Sequence, residues 1–164
     1  MRPQRIEPGP GQESVWDYPR PPAVVPCTQR IRVVHRGRTV ADSVGAMRVL
    51  ETSQPPAYYL PRADVDSTLL VASGQRSMCE WKGMASYWSL SIDGVVDADV
   101  AWSYERPTAA FVAIAGHLAF YAQAVDECWV GHERVVPNPG SFYGGWITST
   151  VVGPFKGGPG TLGW

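Results

Sequence analysis

Residues 84–105, MASYWSLSIDGVVDADVAWSYE, constrain the fold more than any other part of the chain. Two β-rich runs flank Asp93-Gly94, a dipeptide suited to the left-handed conformations of a two-residue hairpin turn. In the first run Trp88, Leu90 and Ile92 fall on one face and Tyr87, Ser89 and Ser91 on the other, the period of a half-buried strand. A second pair, RIRVVHRGRTVADS, repeats the arrangement around Arg36-Gly37. A turn at those two residues sets Val33 opposite Val40 and Ile31 opposite Asp42. The next run, AMRVLET, alternates as well and carries Glu51 on the face of Met47 and Val49. One short helix is expected after Pro107, with Phe111 and Ile114 sharing a face and Gly116 as the stop. The expected class is therefore mainly β, a single antiparallel sheet domain with one short helix.

A chain of 164 residues can bury one core. Residues 1–14 are rich in Pro, Gly and charge and are expected to form a flexible lead-in, residues 15–155 the β domain, and residues 156–164 a Gly-rich tail. Phe142, Tyr143, Trp146, Phe155 and Trp164 give the C-terminal stretch apolar anchors, so much of it should dock on the sheet. A net charge of −1 with 18% charged residues argues against a nucleic-acid-binding surface. Apolar runs such as AAFVAIAG are far shorter than the ~20 residues that span a bilayer, so no membrane association is expected. The first residues lack the apolar centre of a secretory signal, which places the expected compartment in the cytoplasm. Cys27, Cys79 and Cys128 are widely spaced without a Cys-x-x-Cys pair, and neither a metal site nor a cofactor is expected.

The chemistry concentrates in SMCEWKG. A cation near a thiol stabilises the thiolate, and Lys82 follows Cys79 by three residues in a tight turn, whereas Glu80 opposes that effect. Glu51 supplies a general base if the apolar face of its strand is buried. These three, Cys79, Glu51 and Lys82, are the candidate catalytic residues. Tyr59, Trp81, Tyr87, Trp88, Trp102 and Tyr104 are the candidate ligand-binding residues, because small-molecule pockets are mostly aromatic with a few polar groups. Each has a plain structural alternative: the thiol as a small core hydrophobe, Glu51 paired with Lys82 or Arg48, the rings as core. Asp97-x-Asp99 offers a same-face carboxylate pair for Mg²⁺, yet a third acid is missing and a solvated turn lies close by. GPFKGGPGT lacks the Gly-Lys-Ser/Thr ending of a phosphate loop. His35, His117 and His132 have no metal-ligand spacing and are expected to be structural.

Taken together, ETSQPPAYYLP, CEWKGMASYW, AWSYERP, IAGHLAFY and FYGGWIT resemble domain of unknown function 427, a mainly bacterial family, over roughly residues 15–155. The resemblance implies an all-β domain of the β-tent kind. The zinc motifs of many β-tent proteins are missing here, so metal binding is not carried over. Family members are sometimes labelled nucleotidyltransferase domains. The function expected from residues and resemblance together is a domain that binds an unidentified small molecule, with chemistry that would depend on Cys79. Two alternatives stand beside it: a noncatalytic interaction or assembly module, for which a homo-oligomer is the natural form, and nucleotide transfer.

Overall fold

The computed structural model describes residues 3–164. Its first strands are β1 (Glu13–Ser14), β2 (Ala23–Pro26), β3 (Ile31–His35), β4 (Arg38–Ser43), β5 (Met47–Leu50) and β6 (Ala57–Tyr59). The long ones follow: β7 (Leu70–Cys79), β8 (Gly83–Ile92), β9 (Val95–Ser103) and β10 (Leu118–Phe120). Shorter strands complete the chain: β11 (Glu127–Val130), β12 (Glu133–Arg134), β13 (Val136–Pro137), β14 (Trp146–Ile147) and β15 (Val151–Val152). The protein is mainly β, and the helix expected after Pro107 is present as 3-10 turns over Ala109–Ile114, kinked at Phe111. Phe111 and Ile114 are its buried residues, and Gly116 beyond it has φ +70°.

Both turn dipeptides adopt the left-handed pair of a type I′ hairpin: Arg36 and Gly37 have φ 47° and 73°, Asp93 and Gly94 have φ 51° and 80°. The expected register of the first hairpin is overturned. A bulge between Val33 and Val34 sets Val33 opposite Ala41 and Ile31 opposite Ser43, because one extra residue in a strand shifts every pair beyond it.

The strands form several sheets, mainly antiparallel as expected. One runs β10-β9-β8-β7 and another β2-β5-β6. Leu60 and Leu118 exchange backbone hydrogen bonds of 2.8 Å each way, which joins the two edge to edge into one continuous curved surface. A third sheet, β12-β11-β3-β4, lies against it. The main core fills the space between, with Ile31, Val33 and Val40 from the third sheet meeting Leu90, Ile92, Val100, Leu118 and Phe120 from the first.

Strand alternation gives the opposite face of the long sheet a different content. Tyr58 and Leu60 enter the main core while Tyr59 between them does not; Leu118 and Phe120 enter it while Ala119 does not. Tyr59, Ala85, Trp102, Tyr104, Phe111, Ile114 and Ala119 instead form a second cluster, largely aromatic, on the far side.

The segments at either end of the chain are tied together. Ile6 N–H donates to Gly153 O, Arg5 pairs with Asp17, and β1 runs parallel to β15. Trp16 packs on Trp164 at 5.7 Å between ring centroids. Trp146 is fully buried, stacks on Tyr58 at 5.0 Å, and donates its indole N–H to Phe120 O. Among the described residues no helix is long and apolar enough to cross a membrane.

Candidate functional site

The hairpin joining β7 to β8 is closed by residues 80–82, with Gly83 at φ +105°, a conformation that a side chain rarely tolerates. Two hydrogen bonds fasten this tip from the side: Thr108 N–H donates to Lys82 O at 3.0 Å and Thr108 Oγ1 to Trp81 O at 2.7 Å. The loop therefore has a fixed geometry despite its position at the end of a hairpin.

It overhangs a cavity of about 590 Å³ whose floor is the aromatic cluster. Cys79 and Lys82 from the SMCEWKG turn and Glu51 from just beyond β5 all line this cavity, together with Tyr59, Trp81, Tyr87, Trp102 and Tyr104. Trp88 does not. Its indole N–H donates to Ser103 Oγ at 2.9 Å and Arg62 lies 4.8 Å over its ring, on the main-core side of the sheet. Neighbouring residues of one strand point to opposite faces, so Tyr87 and Trp88 cannot share a pocket.

Lys82 is 8% exposed. Its ammonium lies 5.6 Å from the Tyr104 ring and 5.9 Å from that of Phe111, and it makes no ion pair among the described residues. Glu51 is paired with Arg20 at 3.2 Å, not with Lys82 or Arg48; Arg48 pairs instead with Glu13. Glu80 is exposed at the rim. Cys79 is half-buried, whereas Cys27 and Cys128 are buried, and burial pushes the Cys128 thiol up to about 12.

The rings of Tyr59 and Tyr104, 6.3 Å apart, connect these groups. Burial pushes the Tyr59 hydroxyl well above its usual value. Trp102, which donates its indole N–H at 3.0 Å, opposes the rise, and nearby Cys79, Tyr121 and Glu51 add to it. Tyr104 is raised by burial and then by Tyr59, Cys79 and Tyr87. Tyr59 thus neighbours both the thiol and the acid, and Tyr104 both the thiol and the ammonium.

Several lining groups were not among the sequence candidates. Tyr121 packs on Trp102 at 4.5 Å and is raised by burial and by Tyr87. Residues 141–145 cross the top, where Phe142 meets Tyr143 edge-on at 4.9 Å and Lys156 lies 5.3 Å over the Tyr143 ring. A side chain at Gly144 would place its first carbon 2.3 Å from the Trp102 ring, and one at Gly145 would sit 2.4 Å from Pro55 O, so the FYGG run passes because two residues have no side chain. The sequence signal for this strap was the density of rings and glycines in FYGGW.

Asp97 and Asp99, a same-face pair on strand spacing alone, are split. Asp97 accepts from His35 Nε2 at 2.7 Å and from both Nε and Nη2 of Arg36, which hold its carboxyl well below the usual carboxylate range. Asp99 lines an adjoining lobe of the cavity. His35 is buried and receives the Asp126 N–H at Nδ1, a structural role. No group of three or more His, Cys, Asp or Glu among the described residues could hold a metal ion.

A search of curated proteins finds no match to the chain. One family profile, described as a domain of unknown function (DUF427), matches residues 23–131. That span contains Glu51, Tyr59, Cys79, Trp81, Lys82, Tyr87, Trp102, Tyr104 and Tyr121, while the strap at 141–145 and Lys156 lie beyond it. The match covers most of the chain, and the protein belongs to the domain of unknown function 427 family.

Proposed function

We propose that the aromatic cavity binds a small planar anion and presents it to Cys79. One observation carries this reading: a buried ammonium, Lys82, faces a ring-lined cavity without a carboxylate partner, in the same pocket as the half-exposed thiol. A buried charge is costly unless something compensates it, and a ligand carboxylate or phosphate would do so while its flat part stacks among Trp81, Trp102, Tyr59 and Tyr104. Lys156 adds a second positive charge on the strap side.

In the chemical step, Glu51 takes the thiol proton and the sulfur forms a bond to an electrophilic carbon of the ligand. The electron pair displaced from that carbon settles on an oxygen facing the Lys82 ammonium, which stabilises it. Nucleotide transfer draws less support, since Asp97 is already engaged by His35 and Arg36.

The test uses 4-methylbenzoate as the probe, titrated by calorimetry and tryptophan fluorescence into the wild type, Lys82→Met and Cys79→Ser. Lys82→Met should weaken binding by about tenfold or more, the worth of one charge-assisted contact. Saturating probe should protect Cys79 from iodoacetamide, read by intact mass. Equal affinity in wild type and Lys82→Met, or unprotected Cys79, would remove the reading.

A further inference from the structure

The cavity does not end at Tyr87 and Tyr121. These two residues and Ser141 also line a second lobe of about 360 Å³, closed by Gln75, Arg76, Asp99, Gln123 and Ala124. The guanidinium in its wall is held by the backbone: Arg76 Nη1 donates to Ser73 O at 3.1 Å and to Gln75 O at 2.7 Å. Asp99 is placed differently. Its Oδ1 is shielded from solvent and has no hydrogen-bond partner among the described residues.

The backbone goes out of its way to put it there. In a regular strand Asp97 and Asp99 would point to the same face. Instead the β8–β9 ladder slips between Trp88 and Leu90, and residues 98–100 of β9 stand against Ser89 alone. Within this bulge Asp99 adopts φ +53°, a left-handed conformation uncommon outside glycine though tolerated by Asp and Asn, and its N–H is satisfied by Ser89 Oγ at 3.1 Å. Bulges of this kind re-aim a side chain. Here the effect is to separate Asp99 from the His35–Arg36 cluster that claims Asp97 and to deliver a carboxylate to the cavity wall.

We infer that the Asp99 lobe is a second subsite, which takes a protonated amine or similar hydrogen-bond-donating cation at the far end of the ligand whose anionic end meets Lys82. The inference rests on the anion-binding reading of the main cavity and extends it: the ligand is bipolar, with its flat middle between the two Tyr residues shared by both lobes.

The experiment compares matched probes by calorimetry: 4-methyl-, 4-ethyl- and 4-propylbenzoate against 4-(aminomethyl)-, 4-(2-aminoethyl)- and 4-(3-aminopropyl)benzoate. At one arm length or more the ammonium compound should bind about tenfold tighter than its alkyl match, the factor that corresponds to one charge-assisted hydrogen bond. Asp99→Asn and Asp99→Gly, both compatible with the left-handed backbone, should bring that ratio to about one. A wild-type ratio near one at every length, with the alkyl series still bound, would overturn the subsite alone, as would a ratio retained in both variants. Failure of both series to bind would overturn the main-cavity reading and the subsite with it.

Discussion

Replacing Lys82 with methionine separates a group held for a ligand from a group held for the fold. The substitution keeps an unbranched side chain of similar reach and removes the charge. What the ammonium gains in the free protein is two ring contacts at 5.6 and 5.9 Å. Both lie near the ~6 Å limit of useful cation–π attraction, so together they contribute about 1–2 kcal/mol. Against this stands the removal of an ammonium from water, which costs several kcal/mol per ion even after relaxation. With no carboxylate paired to Lys82, the balance favours methionine by about 1–3 kcal/mol. In a chain of this size each kcal/mol moves the midpoint by about 2–4 °C, so Lys82→Met should melt several degrees higher than the wild type in calorimetry. Urea unfolding should give a later midpoint with an unchanged slope. A variant that is both more stable and weaker in binding is the signature of a site strained for function. A midpoint lowered by several degrees would show that the ammonium supports the fold, and the argument from an uncompensated charge would fall.

Gly144→Ala puts a methyl carbon 2.3 Å from the Trp102 ring; the strap or the indole must shift, so stability should drop by about 1–3 kcal/mol in urea titrations, with a changed Trp emission. Burial raises the hydroxyls of Tyr18, Tyr58, Tyr59, Tyr104 and Tyr121, Tyr58 to about 12, along with the Cys128 thiol. Above pH ~9–10 the unfolded chain binds fewer protons than the native one. Stability is therefore complete below that range and should decline as pH rises through it, with the absorbance step of these five tyrosinates coinciding with loss of near-ultraviolet circular dichroism. Tyrosinate forming in the native state for all five would contradict this. Asp97→Asn should lower the melting temperature at pH 7, and the gap should narrow progressively as pH falls below about 4, since the stability from a carboxyl held below its usual value is complete above the unfolded-state titration and is lost as pH falls through the depressed native one. A gap as wide at pH 2 as at pH 7 would show that His35 and Arg36 do not act through charge.

The hairpins, the short helix and the tight SMCEWKG turn were legible because each rests on local chemistry: turn dipeptides, Pro and Gly punctuation, and a thiol and a cation three residues apart, whereas nothing local brought Glu51 beside that turn. Trp88 shows where reasoning by residue type loses to geometry. It is as aromatic as Tyr87, but strand parity sends it to the main core, and the alternation in MASYWSLSI already contained that answer. The bulges were hidden, since nothing in VVHRGRTV or DADVAW marks extra residues; the register of the first hairpin turned on one bulge and the fate of Asp99 on the other. Glu51's partner was hidden for another reason. Arg20 lies in an extended Pro-rich segment whose path is set by tertiary packing, not by its own sequence. Tyr121 and Lys156 entered the site through the same kind of long-range contact.

The parallel pairing of β1 with β15 has a consequence for the order of events on the ribosome. β1 leaves the exit tunnel well before β15 and must wait, unpaired, until the strands between them have been made. The curved surface and the main core can assemble first, from neighbours such as β7, β8 and β9 that are close in sequence. The terminal clasp of Trp16 on Trp164 and the crossing at Gly144 close afterwards. A nascent chain stalled before residue 141 would carry a formed floor under an open roof, with its ring-lined hollow exposed to any chaperone that recognises apolar surface.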